Sequence, residues 1–112
     1  MNIKLSKIEK DGTYIGESDI SVNDQYVGTL GVDYAYIGGR LRICAYSVSI
    51  WKEHTKINQM AQKSFWIDGR WETKSRGAWG SDYHIVDDEY KTGRAARSAA
   101  VSYIAETIKS NQ

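Results

Sequence analysis

The chain contains no proline, one cysteine and one phenylalanine in 112 residues. Without proline no segment is stiffened by a fixed φ, and every residue keeps a backbone donor. With Cys44 as its sole cysteine the chain forms no internal disulfide, and a buried thiol is the expectation. No apolar run reaches the length of a membrane helix. Lys4, Lys7 and Lys10 interrupt the N-terminal segment, so no signal peptide is read there and a cytoplasmic setting is expected. The formal net charge is +1, so total charge demands neither a nucleic acid nor a membrane as partner.

In place of these the chain has eight tyrosines and four tryptophans. Their polar handles suit surfaces and interfaces as well as cores. Charge is distributed in blocks. Residues 11–37 hold five acids and no Lys or Arg, residues 38–80 hold eight Lys or Arg against three acids, and residues 81–90 add four acids. Folding either sorts such blocks onto separate faces or lets them neutralise one another across strands.

The length suits one domain, residues 1–112, with one modest core. Asn2–Ile8 alternates apolar and polar residues and then slips phase at Ile8, which reads as a short strand closed by Asp11-Gly12. Tyr14–Val22 reads as a second strand. Gln25–Trp51 reads as a long hairpin turning at Gly38-Gly39, a pair that tolerates positive φ. Taking that turn as the register, Tyr36 faces Leu41, Tyr34 faces Ile43, Val32 faces Ala45 and Tyr26 faces Trp51 on the expected core side. On the other side Ala35 faces Arg42, Asp33 faces Cys44, Gly31 faces Tyr46 and Thr29 faces Val48. Gly28 and Gly31 mark a bend or bulge. Residues 52–62 carry no clear pattern. Lys63–Lys74 reads as a second hairpin turning at Asp68-Gly69, pairing Trp66 with Trp71 and Phe65 with Glu72. Tyr83–Val86 reads as a last short strand.

The strongest local signal is the final helix, Thr92–Lys109. Thr92 is a ready N-cap, and Ala96, Ala100, Val101, Ile104 and Ile108 fall on one side. Arg97 falls inside that apolar arc, as a snorkelling or carboxylate-paired cation. The expected fold is α+β: an antiparallel sheet of five to six strands, two prominent hairpins, and one C-terminal helix on one face.

No motif points to catalysis. His54, His84, Cys44 and scattered acids show no metal-ligand spacing, so no metal and no cofactor are expected. His84 with nearby carboxylates or Cys44 is the sole enzyme reading. The constellation that stands out is basic and aromatic: Arg40 and Arg42 on the first hairpin, with Lys63, Arg70, Trp71, Lys74, Arg76 and Trp79 on the second and its following loop. Cations with aromatic planes serve either a protein hot spot or unpaired bases on a phosphate backbone. Acidic groups form an alternative surface: Glu17, Asp19, Asp24 and Asp33, or Asp82, Asp87, Asp88 and Glu89.

Ala96, Arg97, Ala99 and Ala100 after a run of strands resemble the close of a double-stranded-RNA-binding domain. That family opens its last helix on paired cations, where this chain has Gly93-Arg94-Ala95. Its first helix has no counterpart here, so no RNA contact is carried over. In size and composition alone, the chain resembles small phage or mobile-element products, anti-CRISPR proteins among them. The expectation is a non-catalytic binding protein that docks on and blocks a partner macromolecule, such as a nucleic-acid-handling bacterial defence complex. Direct nucleic-acid binding is the alternative, and a homodimer is compatible with either.

Overall fold

The computed structural model describes residues 2–67 and 88–109. One sheet contains β1 (Ile3–Leu5), β2 (Glu9–Lys10), β3 (Ile15–Val22), β4 (Gln25–Ile37), β5 (Arg40–Ile50), β6 (Ala61–Ile67) and β7 (Asp88–Tyr90). A helix, α1 (Gly93–Thr107), follows. The strand order is β1-β3-β4-β5-β6-β7, and β2 also pairs with β3. The architecture is α+β as expected. The sheet is mixed rather than wholly antiparallel, because β7 runs parallel to β6, with Phe65 beside Asp88 and Ile67 beside Tyr90.

α1 covers one face of the sheet. Ala96, Ala100, Ile104 and Ile108 join Ile20, Leu30, Val32, Val48, Ile50 and Phe65 in one buried cluster. The small residues at the helix's N-terminal half permit close approach to the strands. The Thr92 hydroxyl accepts the Ala95 N–H at 3.1 Å, so the cap read from sequence is present. Arg97 is exposed and forms no ion pair with a described carboxylate.

The Gly38-Gly39 turn is formed, with φ of +63° and +80°. Tyr36 opposite Leu41, Tyr34 opposite Ile43 and Ala35 opposite Arg42 follow the expected register. The ladder then shifts by one residue. Asp33 faces Ala45, Val32 faces Tyr46, Gly31 faces Ser47 and Thr29 faces Ser49, with Cys44 as the inserted residue. A bulge of this kind moves every later side chain of the bulged strand to the opposite face. Tyr46, Val48 and Ile50 therefore form the core, and Ala45 lies on the outer face. The expected pairs Val32–Ala45, Gly31–Tyr46 and Thr29–Val48 are replaced for that reason. The Tyr26 and Trp51 rings do meet edge to face, 4.7 Å between centroids, although the Trp51 N–H donates to Val27.

A second shift inserts Val27 into β4, since Ile20 faces Gly28 while Ser21 faces Tyr26. Next to it β4 and β5 approach closely enough that a Cβ on Gly28 would strike the Ser49 carbonyl.

The second expected hairpin, with its Asp68-Gly69 turn, lies outside the described residues, as does the expected strand at Tyr83–Val86. Phe65 and Trp66 have β5 on one edge and β7 on the other. Their expected pairs with Glu72 and Trp71 lie outside the described residues.

Residues 52–60, unread from sequence, hold the end of α1. After a 3-10 turn at Lys52–His54, buried Thr55 bridges to Ile108. Its hydroxyl donates to the Gln59 carbonyl at 2.7 Å and accepts the Gln59 N–H at 3.1 Å. Lys56 N–H donates to Thr107 and Lys109 N–H to His54, so the loop pairs with the chain leaving the helix.

Candidate functional site

Among the described residues the sheet's longest hairpin outruns its neighbours. The β3 ladder with β4 ends at Ile15 opposite Asp33, and the β6 ladder with β5 begins at Ala45 opposite Trp66. From Ala35 to Arg42 the two strands pair with each other beyond those points. This arm has two unlike faces, because successive residues of a strand alternate sides.

On the helix side the arm carries Tyr34, Tyr36, Leu41 and Ile43. Tyr34 and Ile43 pack against the core cluster, and Tyr36 and Leu41 continue the same face outward. Tyr14 joins them, its carbonyl accepting the Tyr34 N–H at 2.8 Å. Its ring meets Tyr36 edge to face at 6.1 Å. Tyr14 is 47% exposed and Tyr36 56%. The Lys10 ammonium lies 4.6 Å from the centre of the Tyr34 ring. Arg97 lies near Tyr46, whose hydroxyl is pushed above its ordinary value by burial. The Arg97 charge opposes that rise and Tyr34 adds to it.

On the outer side the arm carries Arg40 and Arg42, both exposed, beside Ile37 and Ala35. The sequence grouped these arginines with Lys63, but Lys63 lies on the helix face opposite Val48. Its ammonium is 5.6 Å from the Phe65 and Tyr103 ring centres, over a shallow cleft of about 340 Å³ bordered by Tyr90, Ser102 and Glu106. Arg70, Trp71, Lys74, Arg76 and Trp79 lie outside the described residues, as do Asp82, His84 and Asp87.

Asp88 and Glu89 belong to β7 rather than to a helix approach, and Glu89 is exposed beside Trp66. The N-terminal acids are more tightly gathered. Glu17 and Asp19 alternate with buried Gly16, Ser18 and Ile20, so they stand on the outer face. Glu9 lies directly opposite Glu17. With Asp11, Lys7 and Lys10 these residues line a polar cleft of about 560 Å³. The Tyr26 hydroxyl beside it is raised by desolvation and by the charges of Asp19 and Glu17. Asp24 is elsewhere, paired with Lys4 at 3.4 Å. Sequence reading missed Glu9 and Asp11 because their placement depends on the register of β2.

The edge under this patch is held by serine. Buried Ser18 donates to the Ser6 carbonyl at 2.6 Å, and Ser6 Oγ accepts the Asp19 N–H at 2.8 Å. These bonds fix the break between β1 and β2.

Among the described residues, no three His, Cys, Asp or Glu side chains gather to hold a metal ion. No described helix is long and apolar enough to cross a membrane. The chain is an α+β sheet protein whose long hairpin, among the described residues, extends past its neighbours with two unlike faces. No protein-family model, curated protein or solved structure matches the chain.

Proposed function

We propose that this chain is a non-catalytic binding protein that docks on a partner macromolecule through the β4–β5 arm and blocks the surface it covers. The observation that carries this reading is the tyrosine strip. Tyr14 and Tyr36 are about half exposed and stacked edge to face where the core face runs out from under α1. Large exposed aromatics continuous with a core mark an interaction surface, and tyrosine with arginine is the composition of binding hot spots. Tyr36, Tyr14 and Leu41 are the contact residues, with Lys10 and Arg97 at the margin. A protein or protein–nucleic-acid assembly is the partner class. The likeness of type to phage-encoded inhibitors points to a bacterial defence complex. The test is affinity capture from bacterial lysate with the wild-type chain and with Tyr36→Ala/Leu41→Ser. A captured protein lost with the double variant is the expected result. The same capture by both chains would remove the arm from the interface.

A second reading is favoured by Arg40 and Arg42, two exposed cations on one face of a two-stranded ribbon, the width a DNA major groove admits. Anisotropy of labelled DNA and RNA over a salt series separates the readings. Binding that falls steeply with salt, and falls again in Arg40→Ala/Arg42→Ala, selects nucleic acid.

A further inference from the structure

One flank of the helix–sheet contact is built from aromatic rings. On β6, Lys63 and Phe65 stand two residues apart, so both point toward α1. Tyr90 of β7 lies beside Ile67 and packs on the same face. Along α1, Ala99, Ser102, Tyr103 and Glu106 recur at helical spacing next to the buried stripe of Ala96, Ala100 and Ile104. Three rings meet as a result. Phe65 lies 5.8 Å from Tyr103 and 6.2 Å from Tyr90 between centroids, at interplanar angles of 60° and 37°. Beside them is the cleft of about 340 Å³, with Ser102 and Glu106 on its helix wall, and the small Ala99 leaves it open. That volume falls within the roughly 300–1,000 Å³ of small-ligand sites.

The cleft already holds a cation at its margin. The Lys63 ammonium is 5.6 Å from the ring centres of both Phe65 and Tyr103. That is near the limit of about 6 Å for attraction by a ring face. Both rings therefore turn a negative face toward one point. Glu106 on the cleft wall adds charge of the same sign; it is exposed and, among the described residues, has no ion-pair partner. Lysine is a poor occupant, because its ammonium is compact, strongly hydrated and carried on a flexible stem. A methylated ammonium sheds water more readily and fills space with its methyl groups. We propose that this cleft binds a quaternary ammonium group, such as that of choline, and that Lys63 is its built-in competitor. The methyl groups rest against Phe65, Tyr90 and Tyr103, the charge lies toward Glu106, and the Lys63 side chain swings out to solvent. No residue of the β4–β5 arm lines the cleft, so the inference stands apart from the proposed docking function.

Titration with choline at fixed ionic strength, followed by aromatic NMR signals, tests it. Phe65 is the chain's sole phenylalanine, so its ring signals report on the cleft directly. The expected result is a saturable shift of those signals. The neutral analogue of choline, with carbon in place of the ammonium nitrogen, should bind about tenfold more weakly or worse, since the ring faces attract charge. Tyr103→Leu keeps apolar bulk but removes a ring, and should cost a similar factor. Lys63→Ala removes the competitor and should tighten binding about threefold or more, as a larger fraction of the chain is then open to ligand. Circular dichroism of each variant checks that it folds. No saturable shift in either the wild type or Lys63→Ala, or equal affinity for the neutral analogue, would overturn the proposal. So would weaker binding in folded Lys63→Ala, which would make the ammonium a ligand contact and the cleft a site for anions.

Discussion

Glu9 and Glu17 face each other across the β2–β3 ladder, two carboxylates on one exposed side of the sheet. Opposed like charges destabilise a strand pair by roughly 0.2–1 kcal/mol. Glu17→Gln should therefore stabilise the isolated chain by that amount, measured by urea unfolding at low salt. A destabilised variant would show that Glu17 has a favourable partner within the chain.

Gly28 and Gly31 are two glycines of one strand with opposite tolerance. A Cβ at Gly28 meets the Ser49 carbonyl, a backbone atom that cannot swing aside, whereas at Gly31 the nearest atoms are at 3.7 Å. Gly28→Ala should cost about 1–3 kcal/mol or more as overpacking. Gly31→Ala should stay within about 0.5 kcal/mol. Thermal melts of the two variants side by side decide the matter; equal losses would contradict the close approach.

Ile104 is fully buried at the centre of the helix–sheet contact. Truncation to alanine removes its packing and leaves a cavity, at a cost of roughly 2–5 kcal/mol. A chemical denaturation midpoint unchanged by Ile104→Ala would mean that α1 contributes little to the fold.

Thr55 is as deeply buried and bonds both the carbonyl and the N–H of Gln59. Thr55→Val keeps the shape and strands both groups, which should cost about 1–3 kcal/mol. Hydrogen exchange should then quicken at Lys56 and Lys109, whose amides join this loop to the end of α1. Exchange quickened elsewhere but not at these two amides would refute that linkage.

Tyr46 and Tyr26 both hold their protons above the ordinary value of 10.0. A raised folded-state pKa contributes stability that is complete below the unfolded value and lost as pH climbs through the folded one. Stability should accordingly fall above about pH 10, the unfolded tyrosine value. For Tyr46 burial is the leading cause and Arg97 opposes it. Arg97→Ala should therefore delay Tyr46 ionisation further in an ultraviolet titration. An earlier ionisation would reverse the sign of that interaction.

Local signals carried the parts of the fold that are locally determined. The helix, its Thr92 cap and the Gly38-Gly39 turn needed only neighbours in sequence. The register near the turn was legible for the same reason, up to Tyr34 and Ile43. It failed at Cys44 because a bulge residue looks like any other apolar strand residue, and the shift is decided by which side chains fill the core. Residues 52–60 were illegible because their order comes from bonds to residues 107–109. The β6–β7 pairing joins segments about twenty residues apart in a parallel sense that alternation does not encode. Of the candidate site, Arg40 and Arg42 were visible as a pair on one face. The acidic patch was half visible, as Glu17 and Asp19, because the phase slip before Glu9 hid the other half.

The inserted Cys44 divides the hairpin into two regions whose inside and outside are assigned separately. Side chains of β5 before it alternate in one phase and those after it in the other, so the tip's pattern is insulated from the core's. Residue pairs can be added, removed or rewritten between Ala35 and Arg42 without turning Tyr46, Val48 or Ile50 out of the interior. The arm is thus a separable head on a fixed mount, whose side chains can change without altering the platform that presents them.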